Sequence, residues 1–470
     1  MESTLPVWFD HARPSPRAPV TEPATYDAVV VGAGLAGMLT GLLLARAGRS
    51  VAVLEARRLG DGTTGRTTGK VSLLQGTKLS RASRVNPPEV VRAYVEASRE
   101  GQAWLRHFCE HHDVPFDVRF ATTYATTDVG VRRARAELDA ARGAGLDAQW
   151  CEVSELPFPV RGGVRLDDQL QVDPLRLLDA VVDSFEAEGG VLHEGSRVLA
   201  VRRHDRDVEL ETESGIRLRA DHVVVATNQP IQYAGGYFAR MRTSRSYAAT
   251  LRHGEGVDGW IPLGMHLSAD PQVRSLRAVT GGGAPMVMVG GAGHPTGRGS
   301  ASAHLDELVR WASGVLPGAA VVHAWSAQDQ SPVVGLPYAG PELPGERRVH
   351  VVTGFDKWGL STAPAAALLL AADLLGGKPP PWAGAFRTWS ARDAAALPRA
   401  AKHNAEVAGR LVCGHLAQLR PGGGRPVCTH LGGVMTWNDV EQSWDCPLHG
   451  SRFAGDGTVL EGPATRPAEI

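Results

Sequence analysis

The 470-residue chain is 43% hydrophobic and 21% charged, with 49 basic residues balanced by 50 acidic ones. This is ordinary globular material, long enough for roughly two to three domains. A formal charge of −1 with no long basic run argues against nucleic acid or an anionic membrane surface as partner, and no stretch nears the roughly 18 consecutive apolar residues of a transmembrane helix.

Residues 1–26 read as an N-terminal extension. They show no charged-then-apolar signal segment and no twin arginine, so a cytoplasmic address is expected. There Cys109, Cys151 and Cys413 would stay reduced, the first two as core or half-buried thiols. Next comes "YDAVVVGAGLAGMLTGLLLARAGRSVAVLEARR". Ala28–Val31 predicts a buried parallel strand, followed by an apolar helix to about Ala47 and a second strand over Val51–Leu54. Gly32, Gly34 and Gly37 form G-x-G-x-x-G at the helix opening, and Glu55 closes the second strand. In that order the motif is the dinucleotide fingerprint. The glycines admit a diphosphate to the helix N-terminus, and Glu55 can bind ribose hydroxyls.

Thr and Gly residues crowd "LGDGTTGRTTGK" directly after the second strand. Two insertions, roughly 76–170 and 230–340, should build a substrate half. The second carries "SRSYAATLRHG" and "VRSLRAVTGGGAPMVMVGGAGHPTG", which alternate as strands do. Gly291–Gly297 is expected to be a sheet-edge turn, since no helix follows it as a nucleotide loop requires. Late in the chain, "RVHVVTGFDKWGLSTAPAAALLLAADLL" gives a strand, a Gly-rich turn over Gly354–Gly359 and an apolar helix.

With "VVVATN" (Val223–Asn228), these segments resemble the D-amino-acid oxidase-like family of FAD oxidoreductases over about residues 27–395. The resemblance implies a Rossmann-type α/β FAD domain with an α+β substrate domain. By it Gly32, Gly34, Gly37 and Glu55 hold the ADP half, while Arg57, Thr64, Thr67 and Lys70 line the middle. Val198 touches adenine, and Thr227 with Gly354, Lys357, Trp358 and Gly359 lies beside the flavin. FAD is expected to be non-covalent, because Arg66 stands near the histidine that some members use for attachment and the late turn lacks Cys.

A helix is expected near Arg399–Val412, leading through "PGGGRPVCTH" into Cys428-x-His430 and Cys446-x-x-His449. Zinc could use two Cys and two His, but zinc fingers pair like with like. One of each per loop suits a [2Fe–2S] cluster, with one iron on two thiolates and the other on two imidazoles. Down to Gly432 and His449-Gly450-Ser451, the stretch resembles the Rieske family, which implies a small all-β domain within 396–470. High-potential members carry two further cysteines, bridged to each other, where this chain has Gly433 and Leu448. Their hydrogen-bonding Tyr is Phe453 here, while Ser451 remains as a donor. Fewer hydrogen bonds to sulfur place the expected potential in the lower half of the roughly −150 to +300 mV range. So short a piece buries little core and is expected to dock on the FAD domain.

The family resemblance implies hydride transfer from an amine, amino acid or related C–N compound to FAD, with electrons leaving singly through the cluster to a one-electron acceptor protein. Lys357 is the candidate for stabilising reduced flavin, and Arg242, Arg245 and Tyr247 for gripping a substrate carboxylate. Two alternatives stand beside this reading. One is a reductase or oxygen-activating enzyme fed by a donor through the cluster; the other is a redox sensor or electron-transfer module.

Overall fold

In the computed structural model Ala28–Val31 is buried throughout and ends the strand Ala24–Val31, inside an eight-stranded sheet. The structure describes residues 3–11, 13–151, 155–254, 259–280, 284–419 and 424–470. The sheet runs Tyr338–Pro341, Val349–Thr353, Arg217–Val225, Ala24–Val31, Val51–Leu54, Val191–His193, and its inner pairs are parallel. The helix Leu35–Arg46 has almost no polar face, as suits burial between this sheet and the late helix Gly359–Leu374. Their tight start is set by glycine. A Cβ on Gly37 would sit 2.0 Å from the Gly32 carbonyl oxygen, and Gly32 itself has φ +107°.

Both insertions meet in a second, nine-stranded sheet, mainly antiparallel. Met241–Arg252 pairs with Ala320–Pro332 on one side and Met286–Pro295 on the other. Gly291 was expected in an edge turn, but it lies within Met286–Pro295, an interior strand flanked by Met241–Arg252 and Arg274–Val279. Its glycines are strand glycines that make room beside a cavity, and the turn comes only after Pro295. The Gly281–Gly283 stretch of the preceding turn lies outside the described residues. A register shift between Arg245 and Tyr247 breaks the alternation of Met241–Arg252.

The expected C-terminal helix is longer than read, Leu397–Gln418. Beyond it Thr436–Asn438, Ser443–Asp445, Arg452–Ala454 and Val459–Glu461 form a four-stranded antiparallel meander. The connecting Pro421–Gly423 falls outside the described residues. This unit's own apolar core is small, centred on Met435, Leu448, Phe453 and Val459. At the other terminus, Trp8 is buried and donates its indole N–H to the Thr67 carbonyl at 2.8 Å, bracing the Thr-rich loop. Among the described residues no helix is long and apolar enough to cross a membrane.

Candidate functional site: a dinucleotide cavity with a docked Cys/His centre

One cavity of about 880 Å³ runs between the two large sheets. Gly32, Gly34, Glu55, Arg57, Thr64, Thr67, Lys70, Val198, Thr227, Lys357, Trp358 and Gly359 all line it. Gly37 and Gly354 do not. Gly37 packs on Gly32, and Gly354 lets the strand end pass Pro332, whose Cγ would lie 2.3 Å from a Cβ there. Glu55 accepts the backbone N–H groups of Ala33 and Arg57, each at 3.0 Å, and so fixes the glycine loop to the second strand. Gly34 has no side chain to cap the helix; Thr64 Oγ1 accepts the Leu35 N–H at 3.1 Å, and the remaining first-turn N–H groups with the positive end of the dipole face the cavity. A glycine cradle at a helix N-terminus and an acid at the strand end together fit the adenosine diphosphate part of FAD.

The candidates for substrate and flavin chemistry separate. Tyr247 reaches the cavity, and its hydroxyl meets His294 Nε2 at 3.0 Å. Arg242 is exposed and Arg245 points the other way, and neither lines the cavity. Arg245 is buried, bonds Ser326 Oγ and lies 3.6 Å from Asp445 of the C-terminal unit. Arg245 lies opposite Ser244 and Ser246, which line the cavity, as strand alternation requires, and the register shift turns Tyr247 inward beside Ser246. Lys357 lines the cavity, but its ammonium is held by Asp329 at 2.6 Å and Ser246 at 2.8 Å.

Lys70 differs from Lys357. It is half-buried in the cavity wall, and its Nζ meets two hydroxyls, Ser275 Oγ at 3.2 Å and Thr68 Oγ1 at 3.4 Å. No carboxylate pairs with it among the described residues. Burial, helped by the nearby Arg277 charge, pushes its pKa down to about 7. Arg274 paired with Glu307 and the stacked rings of His294 and His304, 4.1 Å apart, complete that end. Apart from Lys70, nothing in the local sequence distinguished these residues, which come together only when the strands pair.

In the C-terminal unit each Cys/His loop is a tight turn, closed by Gly432 N–H to the Cys428 carbonyl at 3.1 Å and Gly450 N–H to the Cys446 carbonyl at 3.2 Å. The four side chains sort by element. The thiols of Cys428 and Cys446 hydrogen-bond to each other, and the rings of His430 and His449 stand 5.2 Å apart at 88°. Among the described residues no three such ligands converge as a single ion requires. A binuclear cluster with two thiolates on one iron and two imidazoles on the other fits this sorting better than zinc does.

Three further features fit the cluster. The hydrogen bond from Cys446 holds the Cys428 thiol down to about 7 against burial, with help from the His430 N–H and Ser451. Burial holds His430 at about 4 and His449 at about 3, so both imidazoles are neutral and can ligate. Nδ1 of His449 is buried without a partner, as a nitrogen reserved for metal would be. Where the further cysteines of high-potential members would stand, a Cβ on Gly433 would lie 2.8 Å from Leu448, so the leucine fills the space.

The unit is docked, as its small core predicted. Its cluster loops give carbonyls to the large domain: His430 to Tyr233 at 2.8 Å, His449 to Thr243 at 3.0 Å and Gly450 to Gln328 at 2.8 Å. Backbones approach so closely that a Cβ on Gly297 would sit 2.7 Å from Pro447 N, and one on Gly450 2.3 Å from Thr243 Cγ2. Tyr233 stacks on His430, and Phe238 stands edge-on to both imidazoles. Beside them Arg66, Arg245 and Arg452 interleave with Glu441, Asp445 and Glu461. Burial opposes charge on Arg452, yet Glu461, Asp445 and Glu441 together raise its pKa; at Arg66 burial wins and the pKa falls. The network is therefore centred on Arg452.

Comparison with known proteins agrees with this geometry. The FAD dependent oxidoreductase (DAO) family matches residues 27–373, and the Rieske [2Fe-2S] domain matches residues 420–470. YhfW of Bacillus subtilis (strain 168), which bears the name of a Rieske 2Fe-2S iron-sulfur protein, is 29% identical over 94% of this chain and 92% of its own. Glycine oxidase from Geobacillus kaustophilus superposes with a TM-score of 0.63 at 21% identity, over 75% of this chain and 95% of its own. L-proline dehydrogenase from P. horikoshii gives 0.62 at 16% identity, over 77% and 97%. Both share the fold of the large domain. The chain belongs to the DAO family of FAD dependent oxidoreductases, and it carries a Rieske [2Fe–2S] domain at its C-terminal end.

Proposed function

We propose that this oxidoreductase dehydrogenates an amine or amino acid that bears a carboxylate, and that the electrons leave singly through the Rieske centre. When bound, FAD takes a hydride from the C–N carbon, and the cluster accepts electrons one at a time. The chain's own residues supply the rest. Lys70, half-buried and without a carboxylate partner among the described residues, offers its ammonium to the substrate carboxylate from the cavity wall. Tyr247, held by His294, forms the adjoining wall, and docking buries the Cys446–His449 loop against the large domain. Lys357 already shares its charge with Asp329, so it orders the late turn more than it serves a ligand.

The observation that supports electron exchange between the two centres is the docking itself. The imidazole pair faces the FAD domain, covered by Tyr233 and Phe238. These lie on the segment that begins at the cavity with Thr227 and Asn228. A short path, covalent from Thr227 to Tyr233 and crossing to His430 by a 2.8 Å hydrogen bond and ring stacking, thus joins the cofactor cavity to the imidazole side of the cluster. The family of the chain and the amino-acid enzymes that share its fold support the substrate class.

The test is an anaerobic screen of amines and amino acids for bleaching of the flavin in the purified protein with no other protein present. Bleaching by a carboxylate-bearing amine, weakened by Lys70→Met, is the expected result. Bleaching by none of them, together with reduction of both centres by a reduced ferredoxin, would favour the reverse flow.

A further inference from the structure

The cofactor cavity is not built by the large domain alone. Leu460, Glu461, Gly462, Ala464 and Thr465, all from the Rieske domain, stand in its wall. They do so at the end marked by Glu55, Arg57 and Val198, the end whose glycine loop fits adenosine diphosphate. Arg197 reaches across to donate to the Val459 carbonyl at 2.6 Å, and Gly462 rests on Ile231 and Gln229, which also line the cavity.

The same segment is tied to the cluster loops. Ser451 accepts the Ala464 N–H at 3.0 Å through Oγ and the Cys446 N–H at 2.8 Å through its carbonyl, while Thr429 Oγ1 donates to the Arg466 carbonyl at 2.7 Å. Both cluster loops therefore hold the segment that walls the cavity.

We propose that Val459–Thr465 of the Rieske domain closes the adenosine end of the FAD site, so that FAD is held by both domains and its binding is coupled to the docking of the cluster domain. The coupling is reciprocal by linkage: whatever docking adds to FAD affinity, FAD returns to docking. Holding the adenosine end leaves the flavin end free to meet substrate.

The experiment uses the full chain with its cluster in place and its flavin removed, followed by hydrogen exchange of the segment 457–466 on addition of FAD, ADP or FMN. FAD and ADP should each slow its exchange, whereas FMN should not. Unchanged exchange with FAD, or slowing by FMN and not ADP, overturns the proposal. A second arm uses Gly297→Val, which lines no part of the cavity and wedges the docking contact at Pro447. It should lower FAD affinity about tenfold, a usual size for coupling between sites. Faster exchange across 443–453 with wild-type FAD affinity would show that the docked segment does not hold FAD. If the variant leaves docking intact, the wild-type exchange experiment decides alone. Neither arm reads turnover, so failure here is distinct from failure of the substrate assignment.

Discussion

Replacing Glu441 by Gln should remove about 3 kcal/mol from the stability of the docked Rieske domain. Glu441 is nearly enclosed, with 7% of its side chain exposed, and lies 3.2 Å from Arg66 and 3.3 Å from Arg452. Burial alone would raise its pKa, but Arg66, Arg452 and Arg245 hold it down to about 2, from an ordinary 4.5. That difference corresponds to about 3 kcal/mol. Breaking a buried pair by removing one partner costs about 3–5 kcal/mol. Arg452 keeps Asp445 at 3.2 Å and Glu461 at 2.9 Å, which puts the loss at the low end. A carboxyl with a depressed folded pKa stabilises fully above its unfolded value, and the contribution disappears as pH falls through the folded one. The gap between wild type and Glu441→Gln should therefore be constant from pH 8 to pH 6 and close only in acid, between about 4.5 and 2. Denaturant unfolding followed by the visible circular dichroism of the cluster reads this directly. A gap below about 1 kcal/mol at pH 7, or one that already narrows between pH 8 and 6, would refute the reasoning.

Three further outcomes are expected. His449→Ala removes one ligand of the imidazole-bound iron and should abolish steady turnover with a one-electron acceptor, while anaerobic mixing with substrate still bleaches the flavin at close to the wild-type rate. Phe453→Tyr restores a hydroxyl at a fully buried position of the cluster domain and should raise the midpoint potential in a redox titration; an unchanged potential would show that the ring does not address the cluster. Binding of a non-oxidisable carboxylate should weaken as pH rises through about 7, where Lys70 loses its proton, and Lys70→Met should flatten that profile.

The parts of the site that are local in sequence were legible there. Gly32, Gly34, Gly37 and Glu55 lie within 24 residues, and their roles follow from one strand–turn–helix–strand unit. Each Cys/His pair is a single turn, so ligand order alone separated a mixed-ligand cluster from a zinc finger. Arg245 was misread for a definite reason. Strict alternation along Met241–Arg252 puts Arg245 and Tyr247 on one face and gives no warning of the register shift that turns Tyr247 to the cavity while Arg245 stays toward Asp445. The docking contacts were illegible for another reason. Gly297 meets Pro447, Gln328 meets Gly450 and Arg66 meets Glu441 across more than a hundred residues of chain, and no periodicity encodes such pairs. What could be foreseen was the need for docking, because the small core around Met435 and Phe453 is too little to stand alone.

The central claim is that substrate electrons enter at the flavin and leave through the Rieske centre. Rapid anaerobic mixing of the purified protein with an amino acid that bleaches it, with the flavin followed optically and the cluster by electron paramagnetic resonance of frozen samples, tests it most directly. Flavin absorbance should fall first and the reduced-cluster signal should grow in afterwards, within one molecule and without any added protein. A cluster that stays oxidised while the flavin is fully reduced, or that is reduced before the flavin, would contradict it.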